Sequence, residues 1–504
     1  MSDQPRALPR QPNLRYLKLE AKRRLADGEF TTLHAAQLAI AREHGLPSWA
    51  ALKARITAGP VPESPALTQV RWVIGRFREA DGQAWTAPGD DELGGHFTSH
   101  FLALVPPATL VSTLTRVAAQ LRQEVVVIQE TPLQLRAEVG DLQVEAAAEP
   151  GPPYRLTGLR AYPLGKRVTD PRVSGPSTRT AGPVPAKAAG VAAESVAELG
   201  LPGLAVAGSG DGATGGRGAV WAAARGWANL DRGELLEPGH RFPVYSITKV
   251  VTATAVLRLA ADDRIGLDDP ANQHLHTVRL ADDTMTVREL LSHTGGVDSP
   301  GELFAGSVPG LVSVTGPVLG CNGQRGTFAY SNGGYAALGQ LIADVTGAQY
   351  QDAATRLVLG PLGMDHSWFP ARWPDGDAVT GYRLAGDGSF EPVPPEVPVI
   401  AAAGGLWSTA ADLVLFGLGW ASLLPAGLAR EALRPQAARD PAGAQIGLGW
   451  LLNQPKDVCG HAGGGRSGAT SLIIRVSSGE VSVAMTNRLV PIEPVNARLV
   501  RPLG

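Results

Sequence analysis

At 504 residues the chain is longer than one ordinary domain needs, and with 44% hydrophobic and 18% charged residues it has the make-up of a globular protein with ample core. A net charge of -2 excludes a global attraction to nucleic acid or to an anionic membrane. Cys321 and Cys459 are its two cysteines, which excludes a disulfide framework, and the longest apolar stretch, Leu413 to Leu428, is cut by glycines and Pro425 and is too short to span a bilayer.

In chain order, the polar and basic start (MSDQPRALPRQPNLRYLKLEAKRR) has no apolar run behind it, so no signal peptide is expected and the expected location is the cytoplasm. Leu14, Leu17 and Ala21, then Leu33, Ala36 and Ile40, recur at helical spacing. Thr31 or Thr32 can cap the second helix and Gly45 can end it, while Ser48 can cap a third over Trp49–Ile56. The segment AIAREHGLPSWAALKARI resembles a short helical module that precedes ankyrin repeats in some bacterial proteins. Its basic residues alternate with Glu and Asp, which favours a solvated docking face over a DNA reader. Residues 1–58 are therefore expected to be a small helical module open to a protein partner.

A proline-rich break, GPVPESPA, leads to a second unit over 66–165. Residues 67–80 and 107–122 read as helices, and VVVIQE, LQLRAEV, LQVEAAA and YRLTGLRAYPL read as strands between Pro or Gly turns. Helices followed by such a sheet make an α+β unit similar to the nuclear-transport-factor-2-like cone fold. Residues 166–189 are rich in Pro, Gly, Ser and Thr without periodicity and read as a linker. The third and largest domain is expected over 190–504.

Chemistry concentrates in FPVYSITKVVTATAVLRLAADDRIG, which begins at Phe242. Val250, Val251, Ala255, Leu257 and Leu259 follow the pattern of a buried helix that ends near Arg264 and Gly266. Ser246 falls at its N-terminus and Lys249 one turn later, on the same face, so hydroxyl and amine can meet. A Ser hydroxyl is a poor nucleophile until a base takes its proton, and an apolar helix lowers the pKa of an amine by desolvation. Exposed N–H groups at the helix start suit an oxyanion. Alone, Ser-x-x-Lys is a common accident. Here the lysine stands inside an apolar run of an arginine-rich chain, and two further motifs follow in order.

The first is Tyr330-Ser331-Asn332, before a helix that starts near Gly334. The phenol can share a proton with Ser246 and Lys249, and the Asn332 amide can hold a substrate carbonyl. The second is His461-Ala462-Gly463 at a strand edge, where Gly463 and Gly464 let a substrate approach the backbone. Each alone reads more simply as a turn asparagine or a structural histidine.

Together the three motifs resemble the family of class C β-lactamases, D-alanyl-D-alanine carboxypeptidases and related esterases. LLSHTGG (Leu290–Gly296), AGGLWSTAAD (Ala403–Asp412), GLGW (Gly447–Trp450) and a terminal strand ending in MTNRL agree with it in order. The resemblance covers about residues 190–490. It implies an α/β domain in which an antiparallel sheet flanked by helices meets a helical lobe, with the cleft between them. It further implies Ser246 as nucleophile, Lys249 and Tyr330 as the proton-transfer pair, Asn332 for substrate positioning and His461 on the far side of the cleft. The backbone N–H groups of Ser246 and Gly464 would form the oxyanion hole, and no cofactor or metal is called for.

Three features depart from the lysine-bearing β-lactamases. His461 replaces the lysine that grips a β-lactam carboxylate, the tail after Asn487 is too short and proline-rich for a long terminal helix, and no export signal is visible. The expected function is hydrolysis of a small-molecule ester, amide or β-lactam through a Ser246 acyl-enzyme, with esters preferred. The rival is a sensor that acylates without efficient turnover. Gly210, Gly212 and Gly215, like Gly463, Gly465 and Gly468, match G-x-G-x-x-G, but strands on both sides make β-hairpins the better reading. No Gly-x-Ser-x-Gly elbow exists. His293 and His366 lack partners at metal spacing, His293 reads as a buttress of its turn, and Cys459 as a packing residue.

Overall fold

A computed structural model describes residues 14–500 apart from 44–48, 50–63, 79–87, 115–124, 164–169, 173–176, 211–218, 300–303 and some shorter stretches. The chain divides into two compact units, residues 1–140 with 144–160, and residues 161–504 with 141–143.

In the first unit, α1 (Leu14–Ala26) and α2 (Leu33–Glu43) pack through Leu17, Ala21, Ala36 and Ile40, the residues whose spacing predicts the helices. Thr32 caps α2, its Oγ1 accepting from Ala35 N at 3.1 Å. All but Trp49 of the third helix expected over 49–56 and most of the one expected over 107–122 lie outside the described residues. Helix α3 (Pro65–Arg78) buries Leu67, Val70, Val73 and Ile74, and two short helices follow, α4 (Asp90–His96) and α5 (Ser99–Leu104). The sheet runs in order β1 (Val125–Glu130), β2 (Gln134–Val139), β3 (Leu142–Ala148) and β4 (Leu156–Pro163). Leu135, Ala137 and Val139, and then Leu142, Val144, Ala146 and Ala148, are buried, the period of a sheet covered on one face. The break expected at 59–66 falls inside this unit.

The second unit has a ten-stranded sheet in which every pairing is antiparallel. From one edge inward, past two short strands, it runs β8 (Leu451–Asn453), β9 (Val458–Gly465), β10 (Gly468–Arg475), β11 (Val481–Thr486), β6 (Gly203–Ser209), β7 (Val220–Asn229) and β5 (Arg179–Ala181). The central strand β6 is buried along its whole length, and its residues alternate between two cores. Leu204 and Val206 meet α6 (Ala186–Leu199) and the terminal α10 (Glu493–Leu499), while Ala205 and Ala207 face the helical lobe. That lobe includes α7 (Thr248–Ala261), α8 (Asn332–Thr346) and α9 (Ala410–Gly419). The motif Gly463, Gly465 and Gly468 lies on the β9–β10 hairpin, and Gly210 follows β6, which pairs antiparallel with β7. Gly212 and Gly215 lie outside the described residues, and after Asn487 the described residues include the seven-residue α10.

The linker expected over 166–189 needs correction. Arg179–Ala181 pairs with Ala222–Ala224 of β7, Trp227 Nε1 donates to Arg172 O at 2.6 Å, and α6 already begins at Ala186. The prolines and glycines here turn the chain around a short edge strand, and Pro185 sits at the N-cap of α6. Helix α6 is packed through Ala188, Val191, Ala192 and Val196, whose alanines make its apolar face inconspicuous in the sequence.

Candidate active site

Ser246 sits in a single 3₁₀ turn, Tyr245–Ile247, that runs into α7. The preceding residue, Tyr245, is left-handed (φ 49°), a strained conformation for a tyrosine that the surroundings must hold. Thr470 Oγ1 donates to Val244 O at 3.0 Å, Ser467 N to Tyr245 OH at 3.2 Å, and Leu406 N to Thr248 Oγ1 at 3.1 Å. The serine is thus pinned between β10 and the segment that carries AGGLWST.

Lys249 is wholly buried, as the apolar run around it predicts. Its Nζ lies 3.2 Å from Ser246 Oγ, 2.8 Å from Asn332 Oδ1 and 2.7 Å from Ala403 O. Burial holds its pKa well below the usual lysine value. A neutral amine has two N–H bonds and one lone pair, and Asn332 Oδ1 and Ala403 O can only accept. With both hydrogens so used, the lone pair is left for the Ser246 hydroxyl.

Tyr330 approaches from the other side, its hydroxyl donating to Ser246 Oγ at 2.7 Å. Desolvation pushes its pKa up to about 12, against the pull of the Ser246 hydrogen bond, so it is a phenol at neutral pH. This holds although the residue as a whole is 43% exposed, because the hydroxyl is the end engaged with Ser246. Ser331 caps α8 by accepting from Gly334 N at 2.9 Å, and Asn332 N donates to Ser299 Oγ at 2.9 Å. The expected role of Asn332 shifts accordingly, since its carbonyl oxygen is engaged with Lys249.

On the sheet side, β9 presents His461, Gly463 and Gly465 to one face. A Cβ on Gly463 would lie 2.3 Å from Val244 O and 2.9 Å from Ser246 N, so only glycine lets the strand reach the serine turn. A Cβ on Gly464 would point elsewhere, 3.2 Å from Leu489 Cδ1. His461 is buried, with its ring centre 6.4 Å from that of Tyr330, and it bonds to none of Ser246, Lys249 and Tyr330. Desolvation pulls its pKa down to about 3, so the imidazole is neutral. Its Nδ1 lies 2.7 Å from Ala462 O, which can only accept, so the proton is on Nδ1. Nε2 is then a bare acceptor, buried without a hydrogen-bond partner among the described residues. In this tautomer the imidazole has no second N–H to donate to an acyl group.

The geometry therefore brings Ser246, Lys249, Tyr330 and Asn332 together, sets Gly463 against the serine turn and leaves His461 one layer back. Three contributors are not evident from the sequence. Ala403 acts through a backbone carbonyl, which any residue would supply. His293, read from the sequence as a buttress of its own turn, also contacts the Tyr330 turn, which nothing near it in sequence indicates. Arg439 lies close enough for its charge to lower the pKa of both Tyr330 and His461. Cys459 is buried in the core, and burial raises its thiol pKa to about 12. Among the described residues no group of three or more His, Cys, Asp and Glu side chains could hold a metal ion, and no helix is long and apolar enough to cross a membrane.

A serine, a buried lysine and a tyrosine set between an antiparallel sheet and a helical lobe match the arrangement that the resemblance implies for the serine β-lactamase and penicillin-binding-protein class. The β-lactamase family profile matches residues 188–503, and the chain belongs to that family. It is 26% identical over 195 residues to a Bacillus subtilis (strain 168) chain named as a putative penicillin-binding protein, PbpX, a match covering 38% of this chain and 50% of that relative. Thus the chain spans about half the length of that relative. Among solved structures, a penicillin-binding protein from Bacillus halodurans superposes with a TM-score of 0.52 at 21% identity, covering 61% of this chain and 98% of the other. EstCE1, described as a hydrolase with promiscuous acyltransferase activity, gives 0.51 at 20% identity over 62% and 96%. At these identities the two structures establish the fold.

Proposed function

We propose that the chain is a serine hydrolase that works through an acyl-enzyme on Ser246. The observation that carries the reading is the position of Ser246 Oγ within hydrogen-bond reach of both Lys249 Nζ and Tyr330 OH. Neutral Lys249 takes the hydroxyl proton as Ser246 Oγ bonds to the substrate carbonyl carbon. The N–H groups of Ser246 and Gly464 receive the oxyanion, as the family resemblance implies. When the bond to the leaving group breaks, Tyr330 hands that group a proton and is reprotonated from Lys249. Water then attacks the acyl ester along the same path and releases Ser246.

Among esters, amides and β-lactams, neutral esters are the preferred class. His461 carries no charge at neutral pH, so it supplies no cation for the carboxylate beside a lactam ring. A fluorophosphonate should add once, and peptide mass spectrometry should find it on Ser246. S246A should then lose both the adduct and turnover of a para-nitrophenyl ester. A label on another serine, or an S246A enzyme with wild-type turnover, overturns the reading.

A further inference from the structure

We infer that His293 is a positioning residue for Tyr330, clamping the backbone on both sides of it. The carbonyl of His293 accepts from Ala329 N–H at 2.8 Å and its Nδ1 accepts from Ser331 N–H at 3.1 Å, so the residues before and after Tyr330 both end on one histidine. Its ring lies 4.5 Å from the Tyr330 ring and 4.9 Å from that of Tyr335, centre to centre, and meets Phe328 edge-on at 5.9 Å. Only 3% of the residue is exposed.

Two further features set this apart from an ordinary buried histidine. Its backbone is left-handed (φ 56°), a conformation that costs free energy for any side-chain-bearing residue and that aims the carbonyl at Ala329. The bond to Ser331 also requires an unprotonated Nδ1, and desolvation keeps the imidazole neutral. Ser331 in turn caps α8 and precedes Asn332, whose Oδ1 meets Lys249, so the clamp acts on both partners of Ser246. Tyr330 is 43% exposed, and the two backbone bonds add to the restraint that its ring contacts give.

The inference rests on Tyr330 serving in proton transfer as proposed above. The test compares H293G, H293N, Y330F and H293G/Y330F, each with a melting curve and with kcat and KM on a para-nitrophenyl ester. Glycine accepts the left-handed backbone but removes the Nδ1 acceptor and the ring. Its kcat should fall about a hundredfold with KM little changed, as for a displaced catalytic group. Asparagine tolerates the same backbone and offers Oδ1 to Ser331 N–H, so H293N should recover most of that loss. In the Y330F background H293G should cost little more, because a positioning residue has nothing left to position. A folded H293G with wild-type kcat, or an equal loss with and without Tyr330, overturns the inference. Should H293G fail to fold, an H293N enzyme as impaired in kcat as Y330F overturns it too. A Y330F enzyme with wild-type kcat instead overturns the role given to Tyr330 itself, an outcome distinct from an impaired Y330F beside an unaffected H293G.

Discussion

On the helical side of Ser246, Lys249 Nζ has acceptors in Asn332 Oδ1 at 2.8 Å and Ala403 O at 2.7 Å, whereas on the strand side His461 spends Nδ1 on Ala462 O and leaves Nε2 without a hydrogen-bond partner among the described residues. Burial lowers the pKa of both bases. They differ in where the lone pair is left. Lys249 has its hydrogens assigned to fixed oxygens, so its lone pair falls toward Ser246. The histidine lone pair faces no described group, and the strand wall touches the serine turn through the backbone of Gly463. Desolvation makes a base available, and the occupied remaining valences aim it.

The largest effects should come from the helical wall. Replacing Lys249 by Met should lower kcat/KM for an ester by roughly 10³–10⁴-fold and Y330F by roughly 10²–10³-fold, the range of a lost proton-transfer group. The double variant should be little worse than K249M, because groups on one proton path are not additive. Losses that multiply would separate the two roles.

The pH profile sharpens the contrast. Below its lowered pKa Lys249 is charged and has no lone pair, so kcat/KM should fall as pH drops through that value and stay high above it until the protein itself fails. Because burial pulls the His461 imidazole down to about 3, this residue should contribute no limb at ordinary histidine pH. A limb near pH 6.5 that disappears in H461N would break the comparison.

A moderate effect is expected from giving the strand wall a cation. H461K should shift the ratio of kcat/KM for a chromogenic cephalosporin over a para-nitrophenyl ester by about tenfold, the worth of one charge-assisted hydrogen bond. An unchanged ratio would mean that Arg439, whose charge already reaches Tyr330 and His461, serves carboxylates here. The smallest catalytic effect concerns the chain before the cleft. A protein starting at residue 166 should keep kcat/KM within a factor of about two, since the cleft residues all belong to the second unit. One starting at Gly190 loses β5 and the first turn of α6, and its melting temperature should drop, with each 1 kcal/mol lost worth about 2–4 °C.

How much of this is legible in the sequence varies with the range of the interaction. Ser246 and Lys249 are one helical turn apart in an apolar run, so their meeting is local and readable. The strands of β6, β7, β9 and β10 are legible for the same reason, as short apolar runs between glycine turns. The segment 166–189 reads wrongly as a linker because its composition is that of turns, while the pairing that makes Arg179–Ala181 a strand lies across the sheet on β7. His293 is visible within LLSHTGG, yet nothing near it in sequence hints at Ser331, 38 residues on.

By itself the sequence determined the order of the three motifs and the burial of Lys249, because these depend on side-chain chemistry and near neighbours. Only the tertiary structure decided that Ala403 supplies the carbonyl on Lys249, that Asn332 faces the amine and that His461 keeps its proton on Nδ1. Each of these turns on which oxygen arrives beside which nitrogen. Two of those oxygens belong to backbone carbonyls, which are alike in every residue, so where the chain passes, and not its composition, set the chemistry of the cleft.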